Sequence, residues 1–216
     1  MIWKNLAERM DVFCNQVDIY PVVSSEFCNS RSVLEVVDAI GRGGAKIFQL
    51  REKHCSLKAL YQLGCQVRQI ADKYRMLFLL DDHLSVAMAC GADGVHLGQD
   101  DLPVAAAKRI APELIVGAST HNIPEALQAC SDNCDYLNIG PIYATQTKSV
   151  ACGALGVTAI PEISGVIDRP FTVMGGIKAH CIKELRQAGA KRIAMVTEIT
   201  QAGDIAGKVR ELRQLF

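Results

Sequence analysis

The stretch from Asp81 to Asp101, DDHLSVAMACGADGVHLGQDD, decides the fold. It begins with the acidic pair Asp81-Asp82 and ends with the pair Asp100-Asp101, and an apolar run precedes each pair. Between the pairs, LSVAMACGA has helical composition and ends at Gly91. The order strand, carboxylates, helix, strand, carboxylates predicts a βαβ unit. Because successive strands of a parallel sheet end on the same side, both pairs should face one rim, where two carboxylates can share a cation.

The same alternation extends along the whole chain. Eight strand candidates are each followed by a helix or helical candidate, and the connections are short. The strand candidates are residues 18–25, 45–53, 76–82, 93–101, 113–120, 135–143, 171–177 and 191–199, and the best-defined helices are Leu57 to Tyr74 and Leu84 to Cys90. This pattern predicts an α/β protein with a (β/α)8 TIM barrel, and an open doubly wound sheet is the alternative.

The N-terminal segment, MIWKNLAERMDVFC, has the pattern of an amphipathic helix and not of a signal peptide. We expect residues 1–16 to form an extra helix that packs on the barrel, so that residues 1–216 make a single domain. The helix candidates late in the chain are a segment near Val157 to Ile163, CIKELRQAGA, and a C-terminal helix.

Composition limits the classes of function. The 216 residues carry a formal net charge of zero, which argues against a general nucleic-acid or membrane-surface binder. No run approaches the roughly 18 apolar residues of a membrane span.

The nine cysteines are scattered without a CxxC motif, and no spacing supports a structural zinc site. We expect most of them to be small buried hydrophobic residues in a reducing cytoplasm. The composition is compatible with a homo-oligomer.

The predicted rim carries an unusual set of polar residues. Arg51, Lys53 and Lys148 supply cations and Ser119, Thr145 and Thr147 supply hydroxyl groups, all of which match phosphate oxygens. The carboxylates of Asp82 and Asp101 would repel an anion unless Mg²⁺ lay between them. Solvated loop charges and helix N-caps explain either acidic pair alone. The combination of both pairs with a basic strand end favours a diphosphate ligand held through a metal.

A second anion site is expected where barrels often bind phosphate, after strands seven and eight. Gly175-Gly176 and Val196-Thr197 occupy these positions, although Gly-Gly also serves as an ordinary tight turn. His54, His83 and His121 follow strand ends without a nucleophile at any recognisable spacing. His96 lies inside a strand and is expected to be a core residue with a satisfied ring. No catalytic histidine is assigned.

These rim motifs resemble the thiamine-phosphate synthase family. They are QLREK (49–53), DD (81–82), GADGVHLGQDD (91–101), GASTH (117–121), GPIYATQTK (140–148), GGI (175–177) and MVTEI (195–199), and they run in order from about residue 18 to the C-terminus. The resemblance implies a (β/α)8 transferase with Mg²⁺ as cofactor. Its small-molecule substrates would be 4-amino-2-methyl-5-(diphosphomethyl)pyrimidine and (carboxy)hydroxyethylthiazole phosphate, and its products thiamine phosphate and diphosphate.

The resemblance also implies roles for individual residues. Asp82 and Asp101 would bind Mg²⁺, and Arg51, Lys53, Ser119 and Lys148 would act in catalysis. The pyrimidine diphosphate would be held by Gln49, Arg51, Lys53, Ser119 and Lys148, and the thiazole phosphate by Thr145, Thr147, Gly176, Val196 and Thr197. Leu50, Glu52, Asp81 and Gln146 would also bind substrate. The family mechanism is dissociative, because the bond to diphosphate breaks before the thiazole nitrogen attacks, and it needs no protein nucleophile.

Three positions depart from the family pattern. Asp81 stands where Asn is usual, so this carboxylate would accept a hydrogen bond from the pyrimidine amino group or join the metal shell. Thr197 replaces the usual Ser, and residues 149–156 follow no family pattern and carry no assigned site residue. The rival interpretations are a thiazole tautomerase-like isomerase, a non-catalytic thiamine-phosphate sensor and a generic phosphosugar barrel enzyme.

Overall fold

A computed structural model of the chain describes residues 2, 5–145 and 153–216. Eight parallel strands follow one another in sequence order around a closed barrel. The ring closes between the first and last strands, where Ile19 is in register with Ile193 and Pro21 with Met195. This closure confirms the predicted (β/α)8 barrel and excludes the open doubly wound sheet.

The described residues form alternating strands and helices, with two helices in succession after the last strand. The strands are β1 (Ile19–Val23), β2 (Ile47–Leu50), β3 (Leu77–Asp81), β4 (Gly94–Leu97), β5 (Ile115–Thr120), β6 (Tyr136–Ile139), β7 (Phe171–Val173) and β8 (Ile193–Met195). The helices are α1 (Leu6–Asn15), α2 (Val33–Arg42), α3 (Leu57–Tyr74), α4 (Leu84–Cys90), α5 (Val104–Ile110), α6 (Ile123–Ser131), α7 (Ala159–Ser164), α8 (Ile182–Gln187), α9 (Thr197–Thr200) and α10 (Ile205–Arg213). Short 3-10 turns span Ser25–Phe27 and Ala179–Cys181.

Side-chain caps set several helix starts. The Ser32 hydroxyl accepts a hydrogen bond from the Glu35 amide while the Glu35 carboxylate accepts one from the Ser32 amide, so the two residues form a capping box at the start of α2. Ser56 caps α3 in the same position, and the bounds predicted for α3 and α4 are confirmed at both ends. Each cap satisfies backbone N–H groups that have no partner inside the helix.

Other element bounds differ from the prediction. Strand β2 ends at Leu50, so Arg51 to Lys53 lie in the loop and not in the strand. Strand β8 ends at Met195, and α9 begins at Thr197, where the sequence pattern had predicted a continuing strand. Helix α7 begins two residues later than expected, and the helix predicted after β7 starts as a 3-10 turn.

The strand period of two divides the apolar side chains between two layers. One alternate set fills the barrel interior, and the other packs between the barrel and the surrounding helices. Inside the barrel, Gly117 leaves room for the ring of Tyr136, because a Cβ at this position would lie 2.2 Å from that ring. Most of the interior below the rim is therefore filled, which leaves the rim as the place for a ligand.

Helix α1 covers the N-terminal end of the barrel. Its Phe13 is fully buried, with its ring 4.6 Å from that of Tyr136 between centroids. The Arg192 guanidinium donates a hydrogen bond of 2.7 Å to the Phe13 carbonyl, and Arg9 lies 3.4 Å from the buried carboxylate of Asp93. Because α1 covers this end, the described residues leave the opposite rim, at the carboxyl ends of the strands, as the open end of the barrel.

The cysteines are less uniformly buried than expected. Of the eight cysteines in the described part of the chain, all of them free thiols, four are buried, two are partly exposed and two are exposed. Burial raises the pKa of the Cys28 and Cys90 thiols to about 11, so both are neutral near pH 7. Cys152 lies outside the described residues.

Within residues 2, 5–145 and 153–216, no helix has the length and apolar character needed to cross a membrane.

Candidate active site

A cavity at the carboxyl ends of the strands collects most of the predicted site residues. Its lining consists of Val22, Gln49, Arg51, Lys53, Asp81, Asp82, His96, Gly98, Gln99, Asp100, Asp101, Ser119 and Met174. The strand register explains this grouping. Asp81 of β3 is the partner of His96 in β4, and alternate residues of neighbouring strands point into the barrel. The cavity is rich in charge and has no cysteine in its lining.

The Asp81 carboxylate lies at the centre of the basic residues. Its Oδ1 accepts a hydrogen bond of 2.5 Å from Gln49 Nε2, and its Oδ2 lies 3.3 Å from Arg51 Nε and 3.4 Å from Lys53 Nζ. The side chain is 9% exposed. Asp81 therefore lies between the amide and the two cations that the family resemblance assigns to the pyrimidine diphosphate.

Asp82 and Asp101 form a second group of acids beside it. The Asp82 backbone has a φ of 62°, a left-handed conformation that Asp tolerates better than most residues, and its amide donates to the His96 carbonyl. The Asp82 carboxylate accepts a hydrogen bond from Lys53 Nζ, and Asp101 Oδ2 accepts one of 2.6 Å from the Gly98 amide. These backbone bonds fix the two strand ends next to each other.

The pKa values of Asp101 and Lys53 are both shifted by burial and by the neighbouring charged groups. Burial, followed by a hydrogen bond with Asp82, raises the pKa of Asp101. Burial acts to lower the pKa of Lys53, but the hydrogen bond to Asp82 and the charges of Asp81 and Asp82 outweigh it, so the pKa of Lys53 is raised. When one of the two adjacent, partly desolvated carboxylates is ionised, a negative charge on the other is disfavoured. A cation next to the pair would offset this repulsion.

The donor set at this position fits Mg²⁺. Among the described residues, no cluster of three or more His, Cys, Asp or Glu side chains could hold a metal ion by protein ligands alone. Mg²⁺ commonly takes one or two protein carboxylates and completes its shell with water and substrate phosphates. The Asp82–Asp101 pair matches that requirement in number and in ligand type.

Ser119 is connected to the barrel interior through a buried chain of polar side chains. Its Oγ lies 2.9 Å from His96 Nε2, His96 Nδ1 lies 2.8 Å from the Tyr136 hydroxyl, and that hydroxyl lies 3.0 Å from the hydroxyl of Tyr20. Burial, ahead of neighbouring groups, raises the pKa of both tyrosines, so both hydroxyls keep their protons. The ring of His96 is satisfied on both sides, as the sequence indicated, yet it also lines the cavity.

A second, smaller cavity lies next to the first, and Met174 lines both. Its other described lining residues are Thr145, Gly175, Gly176, Ile177, Lys178, Ala194, Met195, Val196 and Thr197. Gly176 has a φ of 63°, and a Cβ there would lie 2.4 Å from the Ala144 carbonyl oxygen. Glycine at this position therefore allows the loop after β7 to pack closely against the loop after β6.

The structure brings most, but not all, of the predicted residues together. Leu50 is fully buried in the layer between barrel and helices, and Glu52 accepts two 2.6 Å hydrogen bonds from Ser25, from its amide and its hydroxyl. Neither of them lines a cavity of the site. Gln146, Thr147 and Lys148 lie outside the described residues.

The sequence assignment missed several lining residues, among them His96, Gln99, Met174 and Lys178. Gln99 donates a 2.6 Å hydrogen bond to the Ser119 carbonyl and so links two strand ends. The alternation of side chains along β4 could have placed His96 in the interior, and the position of Lys178 directly after GGI could have drawn attention to it.

The chain was also compared with known proteins. The family model described as thiamine monophosphate synthase matches residues 19–199. Thiamine-phosphate synthase of Pelotomaculum thermopropionicum is 39% identical over 202 residues, covering 93% of this chain and 93% of the relative. The corresponding protein of Caldicellulosiruptor saccharolyticus is 37% identical over 206 residues, covering 95% and 93%. The solved structure of thiamine phosphate pyrophosphorylase from Pyrococcus furiosus superposes with a TM-score of 0.85 at 32% identity, covering 93% of this chain and 96% of that chain.

Proposed function

The chain belongs to the thiamine monophosphate synthase family and is an enzyme of the transferase class, and we propose the substrates and residue roles of its reaction from that premise. The substrates are 4-amino-2-methyl-5-(diphosphomethyl)pyrimidine and (carboxy)hydroxyethylthiazole phosphate. The products are thiamine phosphate and diphosphate, and the carboxylated thiazole also loses its carboxylate as CO2. The proposal rests on the first cavity, whose lining contains Gln49, Arg51, Lys53 and Ser119 together with the Asp82–Asp101 pair. Amide, guanidinium, ammonium and hydroxyl donors beside two carboxylates suit a metal-bound diphosphate.

The reaction balances without a protein nucleophile. The bond between the pyrimidinyl methylene carbon and the diphosphate oxygen breaks, and its electron pair leaves with diphosphate. The thiazole nitrogen then donates its lone pair to the methylene carbon. Arg51, Lys53 and Ser119 donate hydrogen bonds to the leaving diphosphate as negative charge develops on it, which is the kind of stabilisation that lowers a barrier most.

Asp82 and Asp101 would hold Mg²⁺, which when bound offsets negative charge on the diphosphate. The pKa of Asp101, raised by burial and by Asp82, supports a cation at this place. We place the thiazole phosphate in the second cavity, at Thr145, Gly176, Val196 and Thr197. Because Met174 lines both cavities, the two substrates would lie side by side. Gln146, Thr147 and Lys148 keep the roles that the family motif implies.

The rival functions lack such support. A thiazole tautomerase or a thiamine-phosphate sensor has no need for cations and a carboxylate pair around a leaving diphosphate. The free thiols of the eight described cysteines support action in the reducing cytoplasm.

The test mixes purified protein with both heterocyclic substrates and Mg²⁺ and measures thiamine phosphate and diphosphate. We expect equal amounts of the two products, no product after chelation of divalent cations, and losses of at least about a hundredfold in kcat for Asp82→Ala and Lys148→Ala. A control enzyme that makes product in the same mixture, while this protein makes none, would overturn the proposal. Isomerisation of the thiazole without coupling would indicate the tautomerase instead.

A further inference from the structure

Lys178 brings a charge to the second cavity that the motif assignment did not include. It follows the loop after β7 and lines the cavity together with Thr145, Gly176 and Thr197. Its Nζ lies 3.4 Å from the Thr197 Oγ1, and the side chain is 46% exposed. Among the described residues of this lining, Lys178 is the single one with a formal charge. The ammonium group therefore dominates the electrostatics of the cavity mouth.

A carboxylate behind Lys178 fixes the position of its ammonium group. Glu198 Oε2 lies 3.5 Å from Lys178 Nζ, and Glu198 Oε1 accepts a 3.3 Å hydrogen bond from the Ala179 amide. The same carboxylate lies 3.9 Å from Lys208 Nζ, on the side of α10. Glu198 is 16% exposed and does not line the cavity. It thus orients Lys178 from outside while leaving donor capacity of the ammonium directed at a ligand.

The spacing of Lys178 and Thr197 suits one phosphate group. An ammonium carries three donors, of which Glu198 uses one. Two donors 3.4 Å apart can each reach an oxygen of the same phosphate at an ordinary distance of about 2.8 Å. Lysine is a common point-charge partner of phosphate.

We propose that Lys178 binds the phosphate of the thiazole substrate and makes this subsite select a phosphorylated thiazole over the corresponding alcohol. The proposal rests on the proposed function, because it takes the second cavity as the thiazole phosphate subsite. Thr197 and Gly176 would bind thiazole phosphate by neutral hydrogen bonds, and Lys178 supplies the charge that discriminates against a neutral hydroxyl.

The experiment compares Lys178→Met with Lys178→Arg and with the control Lys208→Met. The control also removes one ammonium next to Glu198, but Lys208 does not line the cavity. For Lys178→Met we expect KM for the thiazole phosphate to rise on the order of tenfold, with KM for the pyrimidine diphosphate and kcat unchanged. Lys178→Arg should recover most of the loss, and Lys208→Met should match the wild type. With the thiazole alcohol as substrate, Lys178→Met and wild type should react equally.

Titration calorimetry with the thiazole phosphate keeps the two proposals separable. If the wild type binds the thiazole phosphate but makes no thiamine phosphate, the proposed function fails. The role of Lys178 is then still tested, because Lys178→Met should raise the Kd for the thiazole phosphate by the same factor of about ten. An unchanged KM and Kd in Lys178→Met, or an equal rise for both substrates, would overturn the role of Lys178. If the wild type binds no thiazole phosphate at all, both proposals fall.

Discussion

Asp81 is the residue at which this chain departs from the family pattern inside its central motif. Its carboxylate contacts Gln49, Arg51 and Lys53 together, so it holds the basic residues that we propose bind the diphosphate. An ion pair of this kind orders long side chains before a ligand arrives, but a ligand must then compete with the carboxylate for them. Asp81 therefore holds Arg51 and Lys53 in position, and its carboxylate would also compete with a diphosphate for them.

For Asp81→Asn we predict retained activity. The amide oxygen of Asn can still accept the hydrogen bond from Gln49, while Arg51 and Lys53 lose one competing anion. We expect kcat to stay within about tenfold of wild type, one order of magnitude being about 1.4 kcal/mol of barrier, and KM for the pyrimidine diphosphate to be equal or lower. Steady-state kinetics with each substrate varied in turn would measure both values, with Asp82→Asn as the inactive control. Loss of activity in Asp81→Asn would identify Asp81 as an essential contact or metal ligand.

The sequence anticipated which residues meet at the rim better than it anticipated their contacts. Gln49 and Ser119 are the next-to-last residues of their strands, and Arg51 and Asp82 directly follow theirs. The strand ends of a barrel must converge. The preference of Arg51 for Asp81, or of Glu52 for Ser25, depends on rotamers of long side chains and on distances between strands. Such pairings follow from the packed structure and leave no periodic signal in the chain.

At the scale of elements, helices were easier to bound than strands. Helix α3 has a capping serine and a long amphipathic period, and both ends were predicted correctly. Strand β8 was predicted too long because Val196, Thr197 and Ile199 of MVTEI are β-branched, a composition typical of strands. In the structure Val196 has φ −106° and ψ −91°, which ends the strand and turns the chain into α9. Residues of these types occur in both strands and helices, so composition alone does not show where the strand ends and the helix begins.

Asp38 joins two neighbouring helices and gives a prediction for stability. Its Oδ1 accepts hydrogen bonds of 2.9 Å from both Lys73 and Tyr74 of α3, and Arg42 of α2 lies 3.0 Å from Oδ2. The hydrogen bond from Lys73, ahead of the other contacts, lowers the pKa of Asp38. The side chain is 30% exposed, so solvent screens part of this interaction. We expect Asp38→Asn to lower the free energy of unfolding by about 1 kcal/mol at pH 7.

The effect of Asp38→Asn should depend on pH in a defined direction. Because the folded pKa is lower than the unfolded one, the contribution is complete above the unfolded value, about 3.9, and is lost as the pH falls through the folded value. Urea unfolding at pH 7 should therefore separate Asp38→Asn from wild type, and the difference should become smaller as the pH is lowered below about 3.9. Asp168→Asn is the control, since Asp168 is 80% exposed beside Arg169. A difference between Asp38→Asn and wild type that persists unchanged at pH 3 would contradict the assignment.

At the scale of the whole molecule, the alternating pattern predicted eight βα units that close into a barrel, and the structure confirms the closure. The pattern does not contain the closing pair of strands itself. Closure depends on the pairing of β1 with β8, which lie at opposite ends of the chain. Local periodicity shows which face of a strand is buried, but it does not identify a partner strand about 170 residues away in the chain. Interior packing decides the question, because Tyr20, Ile47, Tyr136 and Ala194 fill one common centre.

Helix α1 and the barrel share buried surface, and we propose that residues 1–216 unfold as one cooperative domain. Phe13 of α1 packs against Tyr136, and Tyr136 is connected through His96 to Ser119 at the rim. The two ends of the barrel are thus connected by packed and hydrogen-bonded side chains. Independent unfolding of α1 would expose Phe13 and leave the interior open at one end.

For Phe13→Ala we expect a loss of about 3–5 kcal/mol in the free energy of unfolding, because a fully buried ring is replaced by a cavity. The proposed active site lies at the opposite rim, so kcat measured well below the unfolding temperature should be unchanged. Urea unfolding followed by far-ultraviolet circular dichroism and by loss of activity should give coincident single transitions in both proteins. Tyr61→Ala, at a side chain on α3 in a residue that is 43% exposed, is the matched control and should change stability by no more than about 0.5 kcal/mol. Two separate transitions, or a Phe13→Ala protein as stable as wild type, would show that α1 is an appendage and not part of the barrel's cooperative core.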